Sequence, residues 1–324
     1  MIKMRSVAPA IASALIMLGV HPVLAQWNPT RAVRLIVPYS TGTATDTLSR
    51  AVGQKLSEMF GQQVIVDNQP GANGIVGTEA LAKAAKDGHT LGMIAANHVV
   101  TPALYAKLPY DTLRDFTPVT ILGAVPFLLV VHPSLPAHSV KELIALARAR
   151  PGQLFYSSAG NGSPPHLSGE LLKAMSVIDI VHVPYKGLAP GLIDLIAGQV
   201  SLMFPAISAG LPQANAGKLR ALAVTSLKRS PAAAQLATMD ESGLKGYEVY
   251  SWIGIMGPAA LPKEIVSRLH AEGTRIVRLP DVSQRFANLG IDIIGSTPEE
   301  FARTMETDLV KFGKLVKASG AKLD

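Results

Sequence analysis

The sequence predicts an α/β protein built as two lobes, each a largely parallel sheet covered by helices. Three observations predict it. Strand-like and helix-like stretches alternate along the chain, the arrangement that lays helices against a parallel sheet. The alternation pauses near Gly123-Ala124-Val125 and restarts at Pro126. Beyond about Tyr247 the pattern turns helical, so a tail that returns would make the first lobe discontinuous. The expected divisions are a leader over 1–25, lobe one over 26–125 and 247–324, and lobe two over 126–246.

The leader rests on order. Lys3 and Arg5 form a basic start, residues 8–20 are small and apolar, and Val23-Leu24-Ala25 places small residues before Gln26. The apolar run is too short to span a bilayer, which needs about 20 residues. This is the pattern of a secretory signal peptide cleaved after Ala25. The only other long apolar run, residues 121–131, has eleven residues and contains Pro126.

The first lobe opens as β-α-β-α-β. Residues 34–39 (RLIVPY) read as a strand. From Asp46 onward Leu48, Ala51, Val52, Leu56 and Met59 recur on one helical face, and Gly61 stops the helix. Residues 63–67 and 90–96 read as strands around a Pro70-Gly71 turn and a helix near 75–85. In the second lobe 126–132 is a strand. Ser139 and Glu142 form a capping box for a helix ending at Arg150-Pro151. Strand 154–158, loop 159–165 and a helix carrying Leu167, Leu171, Leu172 and Met175 follow. Strand 179–185, a helix near 190–197, and strands 200–204 and 219–226 complete it. In the tail, 262–277 reads as a helix, and Thr297-Pro298-Glu299-Glu300 starts another that ends near Gly320. Trp252, near the expected crossing at 247–253, reads as core.

Composition removes whole classes of function. The 324 residues are 48% hydrophobic and 16% charged, which excludes a disordered chain. There is no Cys, hence no disulfide scaffold, thiol nucleophile or zinc-thiolate site. A net charge of +7 is modest for this length, and 5% aromatic residues are poor for base stacking, so nucleic acid is not expected as a partner. The chain lacks a G-x-S-x-G elbow, a phosphate-binding P-loop and an H-E-x-x-H pair, and Gly71-Ala72-Asn73-Gly74 does not match a dinucleotide loop. Neither a cofactor nor a metal is expected.

Two loops share one design. Tyr39-Ser40-Thr41-Gly42-Thr43-Ala44-Thr45-Asp46 and Ser157-Ser158-Ala159-Gly160-Asn161-Gly162-Ser163 each leave a strand end and enter a helix N-terminus. Such termini offer N–H donors and the positive end of the helix dipole to an anion. Together they would clamp a carboxylate or phosphate. Thr45 or Asp46 suits the N-cap, since the charge of Asp46 repels an anion. His166 could donate to a ligand as a neutral ring or serve packing. Tyr185 and Lys186 follow another strand, and Asn97 and His98 end the third. An alternative hydrolytic reading pairs Ser163 with His166 but lacks an acid partner.

Over its length beyond the leader the chain resembles the periplasmic solute receptors of tripartite tricarboxylate transporters, the Bug family. The segments that carry this are VPYSTGTATDTLSR, DNQPGANGIVGTEALAKAAKDGHTL, TPALYAKLPYD, YSSAGNGSPPHLSGELLK, HVPYKGLAPGLIDLIAGQVSLMF, AGKLRALAVTS and GSTPEEF. The resemblance implies a type II periplasmic-binding-protein fold with hinge strands and a ligand cleft between the lobes. It implies no catalysis, a two-subunit membrane permease as partner, a monomer, and a small carboxylate ligand. It places that carboxylate on Tyr39 to Asp46 in lobe one and on Ser158, Ala159, Gly160, Asn161, Gly162, Ser163 and His166 in lobe two, with Asn97, Tyr185 and Lys186 near by. Two positions depart from the family pattern. The usual P-G-G run reads Ser40-Thr41-Gly42-Thr43, and the Asp that often follows Met-Phe is Pro205. If that Asp holds an ammonium group, its loss favours an amine-free dicarboxylate or aromatic carboxylate. Presentation of a closed receptor to a sensor kinase would use the same binding chemistry.

Overall fold

The computed structural model describes residues 27–320; the expected leader over 1–25 lies outside them. Lobe one begins with β1 (Val33–Val37), α1 (Ala44–Phe60), β2 (Val64–Asn68), α2 (Ile75–Ala82), β3 (Thr90–Ala95) and α3 (Asn97–Leu104), and β4 (Phe116–Pro126) leads out of it. Lobe two holds β5 (Leu128–Val131), α4 (Val140–Ala149), β6 (Phe155–Ser158), α5 (Pro164–Ser176), β7 (Val181–Pro184), α6 (Leu188–Ile196), β8 (Leu202–Met203), α7 (Ile207–Asn215) and β9 (Arg220–Val224). The chain returns through β10 (Tyr250–Pro258) to α8 (Lys263–Ile276), α9 (Pro280–Asn288), β11 (Asp292–Ile293) and α10 (Pro298–Ser319).

The six-stranded sheet has the order β11-β4-β10-β3-β1-β2 and the five-stranded sheet β7-β6-β8-β5-β9. Each sheet is mixed. β1 runs parallel to β2 and β3, and β6 parallel to β7 and β8, whereas β10, β4, β11, β5 and β9 pair antiparallel. The antiparallel portion follows from the double crossing: a strand that leaves a lobe and a strand that re-enters it run in opposite directions. The parallel portions carry the βα loops.

The largest departure from the sequence reading is β4. Pro118, Gly123 and Pro126 punctuate residues 116–126, and Pro within a run argues against a central strand. Yet β4 pairs with β10 from Phe116↔Pro258 to Pro126↔Tyr250. Register shifts between Ile253/Gly254 and Ile255/Met256 accommodate this, the second beside the Pro118↔Met256 pair. A Cβ on Gly123 would lie 2.7 Å from Ile291 Cγ2 and 2.9 Å from the Asp292 carbonyl, so glycine lets β11 approach. The apolar run 121–131 is thus divided between two sheets rather than forming one element.

Local signals fared better at helix ends. α1 stops where Gly61 takes a left-handed φ of 64° and sends its N–H to the Ser57 carbonyl. α10 has the complete box: Thr297 Oγ1 accepts from Glu300 N–H and Glu300 Oε2 accepts from Thr297 N–H. At α4 only half the expected box forms. Ser139 caps Glu142 N–H, but the Glu142 carboxylate accepts from His138 N–H, one residue earlier. α3 and α7 carry Pro102 and Pro212 inside them, which masks both in the sequence.

The hydrophobic interior does not stop at the lobe boundary. One cluster joins Ile36, Ile94 and Val99 of lobe one to Leu129, Tyr156 and Leu172 of lobe two, through Phe301, Phe312 and Leu315 of α10. Trp252 is fully buried there, its indole N–H donating to Asp308 Oδ2 at 3.2 Å. Tyr247 Oη donates to the Ser168 carbonyl at 2.7 Å.

Candidate functional site

The lobe-one loop is folded back on a buried carboxylate. Asp46 is 3% exposed. Its Oδ2 accepts from Gly42 N–H (2.9 Å) and Arg50 Nε (3.2 Å), and its Oδ1 accepts from Asn68 Nδ2 (3.0 Å) and ion-pairs with Arg50 (3.0 Å). Burial alone would raise its pKa; the Gly42, Arg50 and Asn68 donors outweigh that and hold it below the ordinary carboxylate range. Asp46 is therefore a strut with both oxygens engaged. The N-cap is Thr43, not Thr45 or Asp46: Thr43 Oγ1 accepts from Asp46 N–H and donates to the Ser40 carbonyl. The first α-helical bond runs from Thr47 N–H to Thr43 O. Ala44 and Thr45 stand in the first turn, where a helix supplies no carbonyl for their N–H groups. Ser40, Thr41, Gly42 and Thr43 are exposed, whereas Thr45 is buried.

Tyr39 and Asn97 form the floor. Tyr39 Oη donates to Asn97 Oδ1 (2.6 Å) and accepts from Ala95 N–H (3.0 Å), and burial pushes its phenol pKa up. Asn97 Nδ2 donates to the Asn73 carbonyl (3.0 Å), so both ends of this amide are engaged. His98, the other residue expected at this strand end, is buried in lobe one. Its Nε2–H donates to the Thr112 carbonyl (2.9 Å), its ring stacks on Tyr110, and Nδ1 is buried without a partner.

The lobe-two loop is wired differently. α5 begins Pro164-Pro165, and neither residue has an N–H, so His166 carries the only donor among the first three helical residues. Gly162 N–H donates to His166 Nδ1 (3.0 Å). Gly160 N–H donates to Ser158 Oγ (3.1 Å), and Ser158 Oγ lies 2.7 Å from His182 Nε2. Ser163 N–H and Oγ both donate to the Gly160 carbonyl, the latter at 2.6 Å. Ser163 and His166 thus serve different partners and form no nucleophile–base pair. Ala159 and Gly160 are half-buried and Asn161 is exposed at the tip.

This loop reaches lobe one. Gly162 is buried at φ +73°, and a Cβ there would lie 2.5 Å from Leu104 Cδ1 of α3. Tyr185 N–H donates to the Ser158 carbonyl, and Tyr185 Oη donates to Asp194 Oδ2 at 2.6 Å, which pushes the phenol up to about 12. Lys186 is exposed on the next turn. Pro205 is buried, and its carbonyl accepts from Leu128 N–H where the chain enters β5.

Sequence reasoning missed three contributors. Arg50 and Asn68 hold Asp46, and His182 holds Ser158. An i,i+4 Asp–Arg spacing signalled Arg50. Asn68 and His182 come from neighbouring strands, so no local signal announces them. Among the described residues no group of three or more His, Asp or Glu is placed to hold a metal ion, and no helix is long and apolar enough to cross a membrane.

The family model for the tripartite tricarboxylate transporter family receptor matches residues 48–321. Rhodopseudomonas palustris Rpa4515, solved with adipate, is 39% identical, with 91% of this chain and 99% of that one covered at a TM-score of 0.73. MatC from the same organism, solved with bound malate, is 31% identical, with 89% and 99% covered at 0.69. A TctC solute binding protein from Polaromonas, solved without ligand, is 26% identical, with 90% and 99% covered at 0.82.

Proposed function

The chain belongs to the tripartite tricarboxylate transporter receptor family, a family of substrate-binding receptors rather than enzymes, and from that premise we propose that it captures a small amine-free carboxylate in the periplasm and delivers it to a two-subunit membrane permease. The favoured ligand is a dicarboxylate, with aromatic carboxylates second. One observation carries the reading: two Gly- and hydroxyl-rich βα loops, an exposed one from lobe one and a half-buried one from lobe two, are both locked by buried side chains rather than left to adapt.

Binding proceeds in two stages. A ligand carboxylate docks on lobe one, where the Ser40 and Thr41 hydroxyls, the Thr43 backbone N–H and the Ala44 and Thr45 N–H groups of α1 present donors on the positive end of the helix dipole. The hinge then brings lobe two, residues 126–246, against lobe one, residues 26–125 with 247–324. Ser158, Ala159, Gly160, Asn161, Gly162 and Ser163 close over the ligand, with His166 N–H, Tyr185 and Lys186 at the rim. A charge-assisted hydrogen bond contributes about 1.5–3 kcal/mol net. Four such bonds, less closure and immobilisation, leave roughly −8 kcal/mol, a micromolar Kd.

Three observations support the reading. The adipate and malate relatives hold amine-free diacids. The ligand-free relative superposes more closely, at 0.82, than either ligand-bound one, although it is the least identical of the three. That ordering fits lobes standing as they do before ligand arrives. Pro205 supplies no carboxylate for a ligand ammonium. The receptor acts as a monomer.

Thermal shift against adipate, malate, citrate, benzoate and glutamate tests this. A ligand at 100 times its Kd adds about 2.7 kcal/mol, several degrees here. Stabilisation by an amine-free acid is expected. A response to glutamate alone overturns the amine-free assignment, and no response to any acid overturns the carboxylate reading.

A further inference from the structure

Beneath the lobe-two loop lies a stack of three rings, none of which the ligand reading uses. The His182 ring stacks on His166, with centroids 4.2 Å apart and planes at 29°, and on Tyr156, with centroids 4.9 Å apart and planes at 27°. Tyr156 and His166 are buried and His182 is half-buried. Each ring has a polar partner. Tyr156 Oη donates to Glu170 Oε1 (2.6 Å), whose carboxylate is ion-paired with Lys173 (3.0 Å). His182 meets Ser158 Oγ, and His166 accepts from Gly162 N–H. β6 and β7 run parallel with Tyr156 opposite His182, which brings these rings together from separate elements.

We propose that His182 and His166 are the positioning residues of the lobe-two anion loop: two neutral, stacked imidazoles of opposite tautomer that each take up one glycine N–H of the loop, Gly162 directly and Gly160 through the Ser158 hydroxyl. Gly162 N–H points at His166 Nδ1, so that nitrogen is unprotonated and the ring proton sits on Nε2. Ser158 Oγ accepts from Gly160 N–H, and its proton has two acceptors in reach, the Gly160 carbonyl at 3.2 Å and His182 Nε2 at 2.7 Å. That carbonyl already takes the Ser163 N–H and hydroxyl, so we assign the Ser158 proton to the nearer His182 Nε2 and the His182 ring proton to Nδ1. Two rings this close cannot both take up a second proton without facing like charge, and burial lowers the pKa of both. Lobe two therefore holds its peptide planes by neutral acceptors and adds no charge to the loop. A protein acceptor fixes each of the two glycine amides, so the donors left to the ligand are set before it arrives. This inference rests on the carboxylate-receptor reading only for its effect on affinity.

The test exploits side-chain reach. Asn places an amide oxygen near the position of an imidazole Nδ1, and Gln places one near Nε2. His166→Asn is expected to keep the Gly162 acceptor and His166→Gln to lose it; His182→Gln is expected to keep the Ser158 contact and His182→Asn to lose it. Amide exchange of residues 158–163, read without ligand, should quicken in His166→Gln and His182→Asn alone. Adipate affinity should fall about tenfold or more in those same two variants. Side-chain nitrogen NMR should show His166 as the Nε2–H and His182 as the Nδ1–H tautomer. Equal behaviour of Asn and Gln at each position, or the opposite tautomers, overturns the proposal and leaves the rings as packing. If adipate does not bind wild type, the functional reading fails, while exchange and NMR still decide this one.

Discussion

In lobe one the loop between β1 and α1 is tied back by a carboxylate; in lobe two the loop between β6 and α5 is tied back by two imidazoles. Asp46 accepts from Gly42, Arg50 and Asn68, so a full charge is spread over a fixed set of donors and sits at the start of α1, where the helix dipole favours it. His166 and His182 occupy the corresponding place in lobe two without charge. The helix starts differ as well. α1 has donors throughout its first turn, whereas α5 starts with two prolines. Lobe one thus offers more N–H groups at its helix start than lobe two does. Gly162 of the lobe-two loop packs against Leu104 of lobe one.

The contrast can be broken from either side. The largest effect is expected from Asp46→Ala. It strips Gly42 N–H of its acceptor and removes the carboxylate from Asn68, which keeps the Tyr39 carbonyl, and from Arg50, which keeps Asn68 Oδ1, and should cost about 3 kcal/mol, a figure already reduced because Arg50 is half-exposed. Chemical denaturation should show that loss, and adipate titration should show no binding. A variant that melts like wild type would mean the loop is held by something else.

Acidification comes next, and it acts through lobe one as well. Burial lowers the His98 pKa to about 4, against its ordinary 6.5. The unfolded chain then takes up a proton at higher pH than the folded one, so stability is full above about pH 6.5 and declines as pH falls towards 4. The gap amounts to about 3 kcal/mol. Protonation would place a proton on Nδ1, which has no partner. The His98→Leu variant should lose this part of the acid sensitivity in denaturation curves taken at pH 7, 5.5 and 4.5. An unchanged slope would remove His98 from the account.

A smaller effect is expected at the lobe contact. Gly162→Ala forces a side chain into φ +73° and onto Leu104, and should cost about 2 kcal/mol. Adding Leu104→Ala relieves the clash but not the backbone strain, so only part of the melting temperature should return. Full recovery would show that φ is not limiting. Smallest is Ser163→Ala. It removes one hydroxyl bond to the Gly160 carbonyl, which keeps Ser163 N–H as a donor, and should cost about 1 kcal/mol or less in unfolding experiments.

Much of this was legible in the residues. Gly61 ends α1, Thr297 and Glu300 start α10, and both Gly- and hydroxyl-rich loops stand at strand ends, because caps and turns depend on a few neighbouring atoms. The tertiary structure decided what depends on neighbours distant in sequence. β4 is a central strand despite its prolines because β10 shifts register beside it. Thr43 rather than Asp46 caps α1, and Asn68, from the adjacent strand, supplies one of the donors that hold the Asp46 carboxylate. His182 reaches Ser158 only because β7 lies beside β6. By itself the sequence determined the alternation, the helix ends and the two loops, since backbone propensity and capping act over about four residues. Strand order, the depth of Asp46 and the pairing of the imidazoles were set by packing, since burial and hydrogen-bond partners exist only once separate elements share a core.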